Sequence, residues 1–287
     1  MTSLPSRVHK AALKACLAEL AALKPGNVHV YADGHGMTVE DFRKSAKVMA
    51  AVLGEPGLGV GERIRSSVAA TRDAVGCNTN LGIILLCAPL AHAALAGHVG
   101  AAPKAGVAQV LAALDITDAE RAYEGIRQAD PSGLGTSERH DVRSHPTVPL
   151  LEAMEEARSR DLVARQYANG YEEVFGFAIP RLKDTLSRWN SEVWATTAVY
   201  LGFLGRFPDS HIARTQGPEA AEAVRRKGAD LDEEFHRCRV PADMREALLD
   251  FDAELKAQDW NPGTNADLTV ATLFAWRLAK LTQASHQ

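Results

Sequence analysis

Five short stretches hold most of the residues in this chain that could grip a phosphate, hold an ion or move a proton. KPGNVHVYADGHGM, 24–37, offers Asn27, His29, Asp33 and His35 on a backbone loosened by Gly26, Gly34 and Gly36, a set of oxygen and nitrogen donors able to wrap an ion or a phosphate. GCNTNLGIILL, 76–86, sets Asn78, Thr79 and Asn80 just ahead of the most apolar part of the chain. An ordinary cap needs one such residue, and the free amides of a helix N-terminus attract anions. DPSGLGTSERHDV, 130–142, joins Gly133 and Gly135, where backbone can approach a ligand, to Arg139, His140 and Asp141, which suit phosphate or metal. FPDSHIARTQG, 207–217, adds Asp209, His211 and Arg214. NPGTNADL, 261–268, adds Asp267 behind Thr264, where capping alone accounts for a carboxylate. Singly, each stretch also reads as a solvated turn. Together they argue for a site, because breaks in an otherwise helical chain that all carry Gly with Asp, Asn, His or Arg are expected to converge on one phosphorylated, metal-bound ligand.

The elements that must position them are helices. Ala, Leu and Glu recur with three-and-four spacing, and alternating β-branched runs are almost absent. The spacing predicts helices over 4–23, 38–53, 60–75, 79–97, 103–114, 117–129, 148–158, 161–168, 170–187, 190–206, 217–227, 241–257 and 264–282. Thr38 with Asp41, Thr117 with Glu120 and Thr264 with Asp267 are predicted capping boxes. LGIILLCAPLAHAALAG, 81–97, is marginal in length for a membrane span and contains Pro89 and His92, so it is predicted to be a buried core helix. The loop at 131–146 is long for a compact domain, a mark of function or disorder. With no composition shift or repeat, 1–287 is predicted to form one all-α domain, a multi-helix bundle with polar Gly-rich loops converging on a cleft.

A 287-residue chain that is 46% hydrophobic has ample material for a core. A net charge of -4 leaves no global basic field for nucleic acid. Cys16, Cys77, Cys87 and Cys238 form no CxxC pair, which points to reduced cytosolic thiols. No charged-then-apolar leader opens the sequence, so a cytoplasmic protein without a membrane partner is expected. GLGVG at 57–61 follows no predicted strand, and neither a P-loop nor HExxH occurs.

KPGNVHVYADG, CNTNLGIILL, DPSGLG with HDV, FPDSHIAR and NPGTNADL follow one another in an order and spacing that resemble the triphosphoribosyl-dephospho-CoA synthase family over nearly the whole chain. The resemblance implies an all-helical transferase in which ATP gives up adenine and its triphosphoribosyl group passes to a ribose hydroxyl of dephospho-CoA. It also implies a base for that hydroxyl, Mg2+ on the triphosphate and stabilisation of an oxocarbenium-like ribose. Lys24, Pro25 and Gly26 match the family's PKPG-like opening. Asn78, Thr79, Asn80 and Gly82 match its NTHKG-like stretch, Asp209 and Arg214 its D-T-N-x-x-x-R-like stretch, and Pro262, Gly263, Ala266, Asp267 and Leu268 its SPGGSADL-like stretch. Carried over, Asp209 and Asp267 become the catalytic carboxylates, and Asp33, His35 and Asp141 the metal ligands. Lys24, Asn27, Asn78, Thr79, Asn80, Gly133, Gly135, Arg139, His140 and Arg214 become the residues that hold ATP and dephospho-CoA. Where the family reads His-Lys this chain has Asn80 and Leu81, which removes a phosphate-holding cation. That variant resembles a branch in archaea and methylotrophic bacteria that accompanies biosynthesis of tetrahydromethanopterin or methanofuran. It leaves as alternatives an enzyme acting on another phosphorylated precursor or a non-catalytic binding subunit. Apolar helix faces would allow a homodimer.

Overall fold

The computed structural model describes residues 3–98 and 103–283. Among them the chain forms fourteen α-helices and no strand: α1 (Leu4–Ala21), α2 (Val39–Leu53), α3 (Val60–Val75), α4 (Leu81–Leu95), α5 (Pro103–Ala112), α6 (Ile116–Ala129), α7 (Leu150–Ala157), α8 (Leu162–Asn169), α9 (Ile179–Trp189), α10 (Glu192–Arg206), α11 (Ser210–Gln216), α12 (Pro218–Arg237), α13 (Arg245–Ala257) and α14 (Gly263–Gln283). The predicted all-α class holds. No described helix is long and apolar enough to cross a membrane.

The centre is built from α4, α10 and α14, with α4 packing on α14, α3 and α1, and α14 on α1 and α10. α4 is apolar all round and buried along most of its length, as a helix enclosed on every side must be. Pro89 interrupts it, and a proline leaves the carbonyl four residues earlier without its donor. That carbonyl belongs to Leu85, and the Tyr167 hydroxyl donates to it at 2.6 Å. The Tyr171 hydroxyl donates to Leu86 O at 2.8 Å. Two buried tyrosines thus satisfy the backbone around Pro89 and hold α4 with its N-terminus turned toward the loops.

Several predicted boundaries move for identifiable reasons. The continuous helix expected over 170–187 is a π-helical turn, Glu173–Ala178, running into α9. Pro180 lies just inside α9, and the wider turn accommodates its missing donor and its ring. α12 continues ten residues past the predicted end at 227, because Gly228 is a packing glycine and not a stop. A Cβ on Gly228 would lie 2.9 Å from Leu204 Cγ, and one on Gly205 would lie 2.7 Å from Ala229 Cα. α11 forms inside a stretch read as a break, with the Asp209 side chain capping it. The capping box at Thr38 and Asp41 is present. The cap of α6 is Asp115 with Asp118, not Thr117 with Glu120, since the helix starts at Ile116. α14 starts at Gly263, so Thr264 lies within its first turn.

Candidate active site

The loop at 24–37 is fastened to α13 and to α14's approach. The Gly26 amide donates to Asp252 Oδ1 at 2.8 Å, and Lys256 Nζ bridges Asp252 Oδ2 and Ala32 O. Gly26 has φ 82, and a Cβ there would lie 2.7 Å from Leu255 and 2.8 Å from Pro262, so only glycine brings the loop this close. His35 is clamped between Asp259 Oδ1 at 2.7 Å and Gly26 O at 2.8 Å. His29 is buried 3.3 Å from Asp252. Asp33 accepts the Val39 amide at 2.8 Å and is exposed at the start of α2. The Lys24 ammonium lies beneath the loop, paired with Glu19 and donating to Asn27 Oδ1 at 2.8 Å. Asn27 Nδ2 in turn donates to Asn261 Oδ1 at 2.8 Å, so one buried polar chain links α1, the loop and the entrance to α14.

The three polar residues ahead of α4 divide their work. Asn78 Oδ1 accepts the Leu81 amide at 3.1 Å, the first amide of α4, while the N-cap residue itself is Asn80. Thr79 donates to Ser45 Oγ at 2.6 Å, and Asn80 Nδ2 lies 3.5 Å from Met49 Sδ, so both tie the α4 terminus to α2. Next to it is Gly82, where a Cβ would lie 2.0 Å from Asp267 Oδ2. The missing side chain at 82 is the space that the Asp267 carboxyl occupies.

Asp209 and Asp267, treated alike by the motifs, have different surroundings. Asp209 is buried and accepts the amides of His211 at 2.8 Å, Ile212 at 3.1 Å and Asn265 at 2.9 Å. Burial pushes its carboxyl up to about 6 against the pull of those amides. It fastens α11 to the first turn of α14 and does not line the cavity described below. Asp209→Asn sets an NH2 group against backbone amides, and it is expected to destabilise the fold by about 1–3 kcal/mol, read as a fall in Tm of a few degrees. Asp267 accepts no hydrogen bond from any described residue, and burial together with the neighbouring Asp209, Glu19 and Asp161 raises its carboxyl far above the usual carboxylate range.

The 130–142 loop closes the opposite wall. Asp141 accepts the amides of Ser137 and Arg143, each at 2.8 Å, Arg139 pairs with Glu156 at 3.2 Å, and the His140 carbonyl accepts from Tyr123 at 2.8 Å. Gly133, with φ 67, sits against Arg214, whose Cγ would lie 2.9 Å from a Cβ there. Arg214 donates to Ser132 O at 3.1 Å and lies 3.4 Å from Asp161.

These walls enclose a cavity of about 1070 Å3. Asn27, His35, Asn78, Thr79, Asn80, Gly135, Arg139, His140, Asp141, Arg214 and Asp267 line it, so all five stretches do meet. Lys24, Asp33, Gly133 and Asp209 lie behind it or beside it. The metal trio is not assembled: Asp33 caps a helix, Asp141 holds its own loop, and His35 has both ring nitrogens engaged. Among the described residues no group of three or more His, Cys, Asp or Glu is gathered as a metal site. Six carboxylates, Glu19, Asp130, Asp141, Asp161, Asp259 and Asp267, face four arginines across the space.

Glu19 and Arg72 line the cavity and belong to none of the five motifs. A signal for Glu19 exists in the sequence. It falls in register with Ala12, Ala15 and Cys16, on the buried stripe of α1, where a carboxylate needs a reason. Arg72 carries no such mark, since a basic residue in the last turn of a helix is commonplace.

Fold and sequence comparison together place the chain among the all-helical transferases. It belongs to the CitG family, described as ATP:dephospho-CoA triphosphoribosyl transferase, whose model matches residues 5–286. That membership does not favour the one-carbon-carrier alternative. A crystal structure from Archaeoglobus fulgidus, described as a triphosphoribosyl-dephospho-CoA synthase, shares the fold with a TM-score of 0.63 at 24% identity, covering 83% of this chain and 96% of its own. No curated protein matches the chain.

Proposed function

We propose that this protein transfers the triphosphoribosyl group of ATP to a ribose hydroxyl of dephospho-CoA and releases adenine. The observation that carries the reading is a pair of buried carboxyls on one nucleotide-sized cavity, of which one has a cationic partner and the other has none. Glu19 is buried beside the Lys24 ammonium. Burial raises its carboxyl above the usual carboxylate range, and the Lys24 ammonium opposes that shift, so an ionised Glu19 has a cationic partner in place. Asp267 accepts no hydrogen bond from a described residue, and burial with the nearby Asp209, Glu19 and Asp161 outweighs the opposing charge of Arg214, which favours the protonated form. A carboxyl held against an ammonium suits the base, and one without a cationic partner suits the acid.

Glu19 takes the proton of the acceptor hydroxyl as its oxygen bonds to C1′ of the donor ribose. The C1′–N9 bond breaks, its electron pair goes to adenine, and Asp267 delivers the proton that completes the neutral base. The carboxylate-rich wall stabilises positive charge on the ribose as the bond breaks. ATP enters as its magnesium complex. Mg2+ is commonly held by phosphates with one or two carboxylates and its own waters, which accords with a cavity rich in single carboxylates and without a three-ligand cage among the described residues.

The pH profile tests the roles. Turnover needs Glu19 ionised and Asp267 protonated, so kcat/KM should fall on the acid side as Glu19 gains a proton and on the alkaline side as Asp267 loses one. Glu19→Gln is expected to reduce kcat by about 10^2 to 10^4 and to remove the acid limb from the residual rate. An unchanged acid limb would take the base role from Glu19.

A further inference from the structure

The cavity wall has a cation whose use the fold does not explain. Of its four arginines, Arg139 pairs with Glu156, Arg160 donates to Glu156 O at 3.0 Å and Ser137 Oγ at 3.2 Å, and Arg214 holds Ser132 O and Asp161. Arg72, in the last turn of α3, lines the same cavity beside Asn78. Its guanidinium makes no hydrogen bond or ion pair with any described residue. It lies close enough to Cys77 for its charge to oppose the burial that raises that thiol. The neighbouring wall offers no other positive charge, because Leu81 is apolar and Asn80 is turned to Met49.

We infer that Arg72 is a polyphosphate-binding residue, whose guanidinium grips the triphosphate of the donor nucleotide in the cavity. The inference rests on the transfer reaction proposed above for the identity of its ligand. Five fixed donors and a charge that persists at any working pH suit phosphate oxygens, and a guanidinium with no protein partner need not break an existing pair to bind them. A triphosphate entering a wall with more carboxylates than arginines gains most from a cation that is not already neutralised.

Arg72→Ala is expected to raise the KM for ATP about tenfold to a hundredfold, the loss of one charge-assisted contact. The KM for dephospho-CoA should stay near its original value, kcat should fall less than threefold, and Arg72→Lys should recover part of the affinity. A residue that merely complements the α3 dipole would lower Tm and leave the ATP KM unmoved, which would overturn the inference. Calorimetric titration with inorganic tripolyphosphate separates this from the proposed reaction. Binding by the unaltered protein that weakens at least tenfold in Arg72→Ala supports the inference even if no adenine is ever released. Equal binding by both proteins, or none by the unaltered protein, would refute it.

Discussion

Asp267→Asn is expected to reduce kcat by about 10^2 to 10^4, the usual contribution of a positioned general acid, while the fold stays intact or becomes slightly more stable. The two expectations have one origin. Asp267 receives no hydrogen bond from any described residue, and burial with three neighbouring carboxylates penalises its charged form. Replacing it with an isosteric amide removes an ionisable group from that setting and breaks no pair. The amide cannot give up a proton to departing adenine, so the alkaline limb of the pH profile should vanish along with most of the rate. Gly82→Ala probes the same site from the other side. Its Cβ would lie 2.0 Å from Oδ2 and 2.6 Å from Cγ of Asp267, which forces the carboxyl from its place and should cost comparable activity without touching the acid itself. Full activity in Asp267→Asn with Tm preserved would remove the acid from the account.

The largest loss of stability is expected at a residue that never meets the cavity. Arg63 is buried, and its guanidinium donates to Val52 O at 3.0 Å, Leu53 O at 2.8 Å, Glu55 O at 2.9 Å and Leu58 O at 2.9 Å. These carbonyls belong to the end of α2 and the turn that follows, where a helix has no donors of its own, and a cation there also meets the negative end of the dipole. Burial lowers the Arg63 guanidinium to about 10, still charged at neutral pH. Arg63→Met fills much of the same volume but removes the donor from all four carbonyls, and only those of Val52 and Leu58 keep another partner, the Glu55 amide and His92 Nδ1, so it is expected to destabilise the fold by about 3–5 kcal/mol, on the order of 10 °C in Tm. Arg63→Lys should lose roughly half of that, since one ammonium cannot span four carbonyls. Activity should fall with it, because α2 carries the Ser45 and Met49 contacts that hold Thr79 and Asn80 at the cavity. A Tm within a degree of the original for Arg63→Met would show that water replaces the guanidinium there.

The contrast between Arg63 and Asp267 shows what a sequence makes legible. Helical periodicity reports which face of an element is apolar, and it located α4, α10 and α14 from spacing alone. Motifs of Gly with polar residues report where backbone turns near a ligand, and all five did meet at one cavity. Neither kind of pattern reports direction. Asp209 and Asp267 sit in equally strong motifs, yet the former turns to three amides and the latter to the cavity, a difference decided by the crossing of α11 and α14. Asp33, His35 and Asp141 are good metal ligands by type, but local partners occupy each of them. Glu19 is marked in the sequence only as a carboxylate on the buried stripe of α1, and Arg72 not at all; both line the cavity because α1 and α3 end beside the loops. The predicted end at 227 falls short of α12's end at Arg237, since a glycine such as Gly228 that permits close helix packing is indistinguishable, in one sequence, from one that ends a helix.

The most direct test of the proposed chemistry is to incubate the purified protein with ATP, magnesium and dephospho-CoA and to quantify adenine together with the adduct by liquid chromatography and mass spectrometry. The account gives adenine and triphosphoribosyl-dephospho-CoA in equal amounts, with neither formed when dephospho-CoA is withheld. Formation of ADP, AMP or free phosphate in place of adenine, or no adenine from a preparation shown to be folded and to bind ATP, would contradict it.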